Sequence, residues 1–65
     1  QQKETLVKVM VVEDNAELRQ FICEILSGTY RVVGVADGVM ALEEIEEEVP
    51  DFYYYRYYDA AYGWY

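Results

Sequence analysis

The stretch VVEDN (residues 11–15) decides the fold, because a run of β-forming residues ends there and helical periodicity begins. The preceding residues, Leu6 to Val12 (LVKVMVV), are almost all apolar and rich in β-branched side chains. That composition is typical of a central parallel strand covered on both faces. Two carboxylates, Glu13 and Asp14, follow at once, so we predict a buried strand with an acidic pair at its carboxyl end.

The segment after the acidic pair has the spacing of an amphipathic helix. Asp14 or Asn15 is suited to cap its first turn, and Gly28 is suited to end it. Cys23 lies on or near the apolar face and is predicted to be a small packing residue. The apolar residues recur at intervals of three and four and share one face: Leu18, Phe21, Ile22, Ile25 and Leu26.

A second strand and helix follow. Tyr30 to Ala36 (YRVVGVA) reads as a strand, Asp37 and Gly38 as the turn that leaves it, and Pro50 as the end of the next helix. The apolar stripe of this helix is predicted at Ala41, Leu42, Ile45 and Val49. Its acids are predicted to form a mainly solvated face: Glu43, Glu44, Glu46, Glu47 and Glu48.

The order is therefore β, α, β, α, and then a possible third strand within Phe52 to Tyr58. Short right-handed connections favour an α/β fold with a parallel sheet and helices on opposite faces. Ligands of such sheets bind beyond the carboxyl ends of the strands. If the first strand is central, Glu13 and Asp14 lie at that position.

Composition limits the class of partner. The 65 residues fit one small domain or part of one, which buries about 60% of its unfolded surface. The net charge is −8 with only five basic residues, which argues against nucleic-acid and anionic-membrane surfaces and favours a cationic partner. One cysteine and no apolar run of signal-peptide or membrane-spanning type predict an intracellular, cytoplasmic protein.

The segment KVMVVEDNAELRQFICEIL, followed by YRVVGVADGVMALEEIEEEVPD, resembles the first half of a response-regulator receiver domain of two-component signalling, including receivers of hybrid sensor kinases. The ordered features are the acidic pair, the ADG turn, the AL of the second helix and the closing PD. The resemblance implies a partial flavodoxin-like βαβαβ fold that ends after the third strand. It divides the chain into a receiver-like segment, 1–51, and a Tyr-rich third strand and tail, 52–65.

The resemblance also implies a metal and a partner. Mg²⁺ would be held by Asp14 directly and by Glu13 largely through water, since hard cations take oxygen ligands. The partner would be a histidine kinase or a phosphotransfer protein. The simpler alternative is that Asp14 only caps the helix and Glu13 is its solvated neighbour.

The phosphoacceptor aspartate of a receiver would fall at position 56, where this chain has Arg56. Asp59 is the only later acid and would serve only if the third strand ran three residues further. We therefore predict no catalytic residue and no enzymatic activity. Arg56 either faces Glu13 and Asp14 and neutralises them without metal, or points to solvent because the resemblance ends after Asp51. The second reading is the simpler expectation.

The tail changes composition abruptly, because nine of the fourteen residues from 52 to 65 are aromatic, against two before them. Tyrosines suit a half-exposed strand or an interface better than a sealed strand. We predict an interface at Tyr53, Tyr55 and Tyr57 and a homo-oligomer that covers the open edge of the sheet. Two functions stay open: a receiver-like signalling domain with an acidic magnesium site, or a half-domain that associates or binds through a native or engineered tail.

Overall fold

The computed structural model describes residues 6–56, 58–59, 61 and 63–64. As far as β3 the chain alternates strands and helices, as the sequence predicts. The elements in chain order are β1 (Lys8–Val12), α1 (Ala16–Leu26), β2 (Arg31–Val35), α2 (Gly38–Glu47), β3 (Phe52–Tyr55), β4 (Tyr58–Asp59) and β5 (Gly63–Trp64).

Three of the strands form one parallel sheet in the order β2-β1-β3. β1 pairs with β2 from Lys8 opposite Arg31 to Val12 opposite Val35, and with β3 from Val9 opposite Phe52 to Val12 opposite Tyr55. The predicted partial flavodoxin-like βαβαβ fold with β1 at its centre is therefore confirmed.

β1 is buried along its whole length, which explains its nearly continuous apolar sequence. Met10 and Val11 have no exposed surface. On the α2 side of the sheet, the core joins Met10 and Val12 to Val35 and Ala41. Val33 and Ile45 pack against this cluster. The core is small, as expected for a chain of this length.

α1 begins at a polar cap and lies against β2. The side chain of Asn15, rather than Asp14, accepts a hydrogen bond of 2.9 Å from the backbone N–H of Leu18. The helix ends at Leu26, two residues before Gly28. The close packing of α1 on β2 depends on Gly34, because a Cβ there would lie 2.9 Å from Cys23 Sγ. Burial raises the pKa of the Cys23 thiol, in keeping with a packing role.

α2 begins where the sequence predicts a turn. Asp37 caps it, accepting a hydrogen bond of 2.9 Å from the backbone N–H of Met40. The helix ends at Glu47, and Pro50 is buried in the connection to β3. Neither helix in the described ranges has the length and apolar content that a membrane span requires.

Four predicted core positions are instead exposed. On α1 these are Phe21 and Ile25, Leu42 is on α2, and Val49 follows α2 in the connection to β3. α1 lies mainly over β2 and β1, and α2 lies over the same two strands. The periodic face of each helix is therefore wider than the part in contact with these two strands, so its outer part stays exposed.

The third strand is shorter than predicted. β3 ends at Tyr55, and Tyr57 lies outside the described residues. β4 and β5 form a separate antiparallel pair, with Tyr58 opposite Trp64 and Asp59 opposite Gly63. This pair is not predicted from the sequence, because the continuous aromatic composition is typical of one strand and a tail.

Candidate functional site

Glu13 is a buried acid at the carboxyl end of the central strand. Its side chain has no exposed surface. Its backbone N–H donates to Val35 O at 3.1 Å, and its carbonyl accepts from Arg19 Nη1 at 2.8 Å. One carboxylate oxygen, Oε2, accepts from the backbone N–H of Asn15 at 3.2 Å. Glu13 is therefore fixed by β2 and α1, and it is not the solvated neighbour that the simpler alternative predicts.

Arg56 follows β3 directly and meets Glu13. The β1–β3 register ends with Val12 opposite Tyr55, so the next residues of the two strands are neighbours. The backbone N–H of Arg56 donates to Val12 O at 3.4 Å. Its Nε lies 3.5 Å from Glu13 Oε1, and 32% of its side chain is exposed. The expectation that Arg56 points to solvent is wrong, because the parallel register continues as far as Arg56.

The carboxylate of Glu13 is incompletely satisfied. Among the described residues, Oε1 is buried and has no hydrogen-bond partner. The 3.5 Å separation from Arg56 Nε gives Coulomb attraction, but it is too long for a good hydrogen bond. Buried polar atoms are normally hydrogen-bonded, so an exception calls for an explanation and is often found at functional sites.

The predicted magnesium pair is divided between two environments. Glu13 is buried against Arg56, whereas Asp14 is exposed and does not cap α1. In the described ranges, no group of three or more His, Cys, Asp or Glu side chains is arranged to hold a metal ion. With a guanidinium against one acid, the pair does not fit a dication as it stands. Mg²⁺ at Glu13 and Asp14 stays a prediction.

The alternative acceptor, Asp59, belongs to a different sheet from β3. Asp59 belongs to β4 and pairs with Gly63, whereas β3 ends at Tyr55. Continuation of the third strand as far as Asp59, which that role requires, is therefore not found. Arg56, directly after β3, occupies the position at which the receiver domains that the sequence resembles have the phosphoacceptor aspartate.

A second charged cluster lies at the opposite end of β1 and was missed in the sequence. Lys8 is 2% exposed, and its Nζ contacts Glu44 Oε2 at 3.1 Å and the Glu48 carbonyl at 3.0 Å. Arg31 donates two hydrogen bonds to the Glu48 carboxylate. Glu44 and Glu48 are thus ion-paired although they still reach solvent, and the prediction of a mainly solvated acidic face did not include these pairs. The one available signal was a lysine inside an apolar strand.

The bidentate contact with Arg31 dominates the electrostatics of Glu48. The hydrogen bond from Arg31, with a smaller contribution from that of Lys8, lowers the pKa of Glu48 to about 2 although burial opposes the shift. The same contact raises the pKa of Arg31. Such charge-assisted pairs hold the carboxylate ionised at neutral pH.

An apolar groove of about 530 Å³ lies between α2 and β3. Tyr53 and Tyr55 form one wall of it and remain half-exposed, at 54% and 53%. Two of the three predicted interface residues therefore share one surface. Leu42 of α2 lines the opposite wall and is 64% exposed.

Comparison with known proteins gives a short match. The hybrid signal transduction histidine kinase D of Dictyostelium discoideum is 49% identical to this chain over 43 residues. That match covers 66% of the chain but only 3% of the relative's length. No protein-family model matches the sequence, and no solved structure gives a significant match. The similarity links the chain, in coarse terms, to a two-component signalling protein.

Proposed function

We propose that the chain is a receiver-type module of cytoplasmic phosphorelay signalling that binds its kinase or phosphotransfer partner without accepting a phosphoryl group. The observation that carries this proposal is Arg56, which occupies the end of β3 and faces Glu13. The fold and the 49% identity to part of a hybrid histidine kinase support the signalling class. The activity and partners of that much longer protein enter only as part of this proposal.

Arg56 matters because receiver chemistry requires a carboxylate at that point. Transfer of a phosphoryl group needs an oxygen nucleophile in line with the leaving group. A guanidinium stays protonated and only donates hydrogen bonds, so it cannot serve as that nucleophile. The acidic pair persists beside a position that has lost the acceptor.

Intact-mass spectrometry tests this proposal directly. The chain is incubated with Mg²⁺ and acetyl phosphate, and its mass is compared with that of untreated chain and of Asp14→Asn. We expect that neither the incubated wild-type chain nor the incubated Asp14→Asn variant gains the mass of a phosphoryl group. Glu43→Gln, which removes an exposed acid on α2, is the matched control. A gain of one phosphoryl group that Asp14→Asn abolishes and Glu43→Gln retains would overturn the proposal, and peptide mapping would locate the acceptor.

A second candidate function is self-association through β3, and we propose a second copy of the chain as the partner. In the described sheet β3 is an edge strand, so one side of its backbone is open to pairing. Two copies related by a two-fold axis would pair their β3 strands antiparallel and bring both apolar grooves to one face. Half-exposed Tyr53 and Tyr55 would then lie at the joint.

Sedimentation velocity at increasing concentration tests the association. We expect a dimer that weakens when Tyr53, Tyr55 and Tyr57 are replaced by Ser together, and that is unaffected by Asp14→Asn. Tyr30→Ser is the control, since Tyr30 precedes β2 at the other edge of the sheet. Each copy carries a net charge of −8, so added salt should strengthen the dimer by screening repulsion. A monomer at every concentration and salt level would exclude this function.

A further inference from the structure

We propose that Arg56 takes the place of a divalent cation, so that the acidic site is charge-balanced by the protein itself. This inference rests on the proposed function and deepens it by naming what regulates the acidic pair. It concerns the affinity of the site for metal, whereas the proposed function concerns transfer of a phosphoryl group. The two are therefore measured separately.

The burial of Glu13 requires a compensating positive charge. A carboxylate with no exposed surface is strongly disfavoured as an anion unless it is paired and hydrogen-bonded. Asn15 supplies one backbone N–H to Oε2, and Arg56 supplies the positive charge beside Oε1. The role that a metal ion would have toward this oxygen is already filled by a side chain.

The backbone holds Arg56 in that place. Its N–H donates to Val12 O, which continues the pairing of β3 with β1 up to the residue that carries the guanidinium. The arginine side chain therefore starts from a fixed point beside Glu13. A metal ion bound at Oε1 would lie next to this positive charge, so it would have to displace the guanidinium before it could bind.

Asp14 is a solvent-exposed acid next to this contact. The structure contains an Arg56–Glu13 contact, and Asp14 remains exposed on the loop that leads into α1. One weak, exposed carboxylate is a poor magnesium ligand by itself. The site therefore keeps one accessible acidic group, Asp14. A ligand suited to it is a cationic group of a partner protein.

Isothermal titration with Mg²⁺, and water-proton relaxation with Mn²⁺ as a paramagnetic substitute, test the inference. The wild-type chain is compared with Arg56→Ala, Arg56→Lys and Arg31→Gln. We expect Arg56→Ala to bind either metal at least about tenfold more tightly, because the competing charge is gone. Arg56→Lys keeps the charge and should remain weak. Arg31→Gln removes an arginine from the other end of the sheet and should match the wild type.

A double variant tests whether the increased metal affinity of Arg56→Ala depends on Glu13. Adding Glu13→Gln to Arg56→Ala should return the affinity to the wild-type level, whereas adding Glu43→Gln should not. Equal affinity of the wild type and Arg56→Ala would overturn the inference. Circular dichroism reports whether each variant is folded.

A comparison without any change at Arg56 keeps the test valid if Arg56→Ala unfolds. The wild type and Glu13→Gln should bind Mn²⁺ equally weakly, since Glu13 is already occupied by Arg56. Tighter binding by the wild type than by Glu13→Gln would show Glu13 to be a metal ligand and would overturn the inference. If the wild type gained a phosphoryl group while the metal affinities of the wild type and the variants were as expected, only the proposed function would be contradicted.

Discussion

The two ends of β1 each bury a charged side chain, but they treat it differently. At the amino end, Lys8 Nζ has three acceptors within 3.4 Å, from Glu44 and Glu48. At the carboxyl end, the Glu13 carboxylate has one backbone donor and a guanidinium at 3.5 Å. The difference indicates that the buried lysine stabilises the fold, whereas the buried glutamate belongs to a site whose hydrogen-bonding groups are only partly satisfied.

The amino end is well compensated because α2 ends beneath it. The last turn of that helix brings two carboxylates and a backbone carbonyl toward Lys8. The carboxyl end of a helix is negative, so a buried cation there is also favoured by the helix dipole. The backbone N–H of Lys8 adds a hydrogen bond of 2.9 Å to Asp51 Oδ2, which joins β1 to the connection before β3.

The largest expected effect is at the amino end. Lys8→Met should lower the free energy of unfolding by about 2–4 kcal/mol, because it removes a buried cation from several acceptors. The value should stay below that of a fully buried pair, since Glu44 and Glu48 reach solvent. Urea denaturation measures it, with Glu43→Gln as the control. An unchanged urea midpoint would show that the ion pairs of Lys8 do not stabilise the fold.

Glu13→Gln should have a smaller effect, within about 1 kcal/mol of the wild type and of either sign. The amide keeps the size of the side chain and an oxygen for the Asn15 N–H, and it removes an incompletely compensated buried charge. Arg56 is 32% exposed, so part of its side chain is already hydrated. The same urea experiment gives the value. A loss as large as that of Lys8→Met would show that the two ends are equivalent after all.

The smallest effect is expected from acid, through Glu48. Its pKa of about 2 in the folded state lies below the ordinary value of 4.5, so the folded state binds this proton more weakly than the unfolded state. The stabilisation is fully present above pH 4.5 and is lost as the pH falls through about 2. Solvent screening keeps it small, because Glu48 is half exposed.

Thermal unfolding between pH 5 and pH 2 measures this contribution. The comparison is between the wild type and Arg31→Gln, because relief of the net negative charge affects both chains alike. We expect the Tm difference between them to shrink as the pH falls. A constant difference across this range would show that the Arg31–Glu48 pair does not link stability to protonation.

The sequence predicts the fold well where one signal acts alone. The apolar run before Glu13 and the helical spacing after it specify β1 and α1, and both are found within about two residues of their predicted ends. Exposure of Phe21 and Leu42 was not predicted, because spacing identifies the apolar side of a helix but not how much of that side other elements cover.

The site is predicted less completely, since it depends on contacts between distant segments. The position of Glu13 at the end of a central strand follows from local patterning. The direction of Arg56 depends on the register of β3 against β1, and the Lys8 cluster depends on where the last turn of α2 lies. Neither relation is encoded in the spacing of neighbouring residues.

The close contact at Gly34 has a consequence for how this sequence can vary. A Cβ at position 34 would lie 2.9 Å from Cys23 Sγ and 3.3 Å from Arg19 Cγ, so α1 would have to move away from β2. Alanine at position 34 is expected to be tolerated only together with a smaller residue at position 23, such as alanine. Positions 23 and 34 should therefore change as a pair among viable variants, although they are eleven positions apart in the chain.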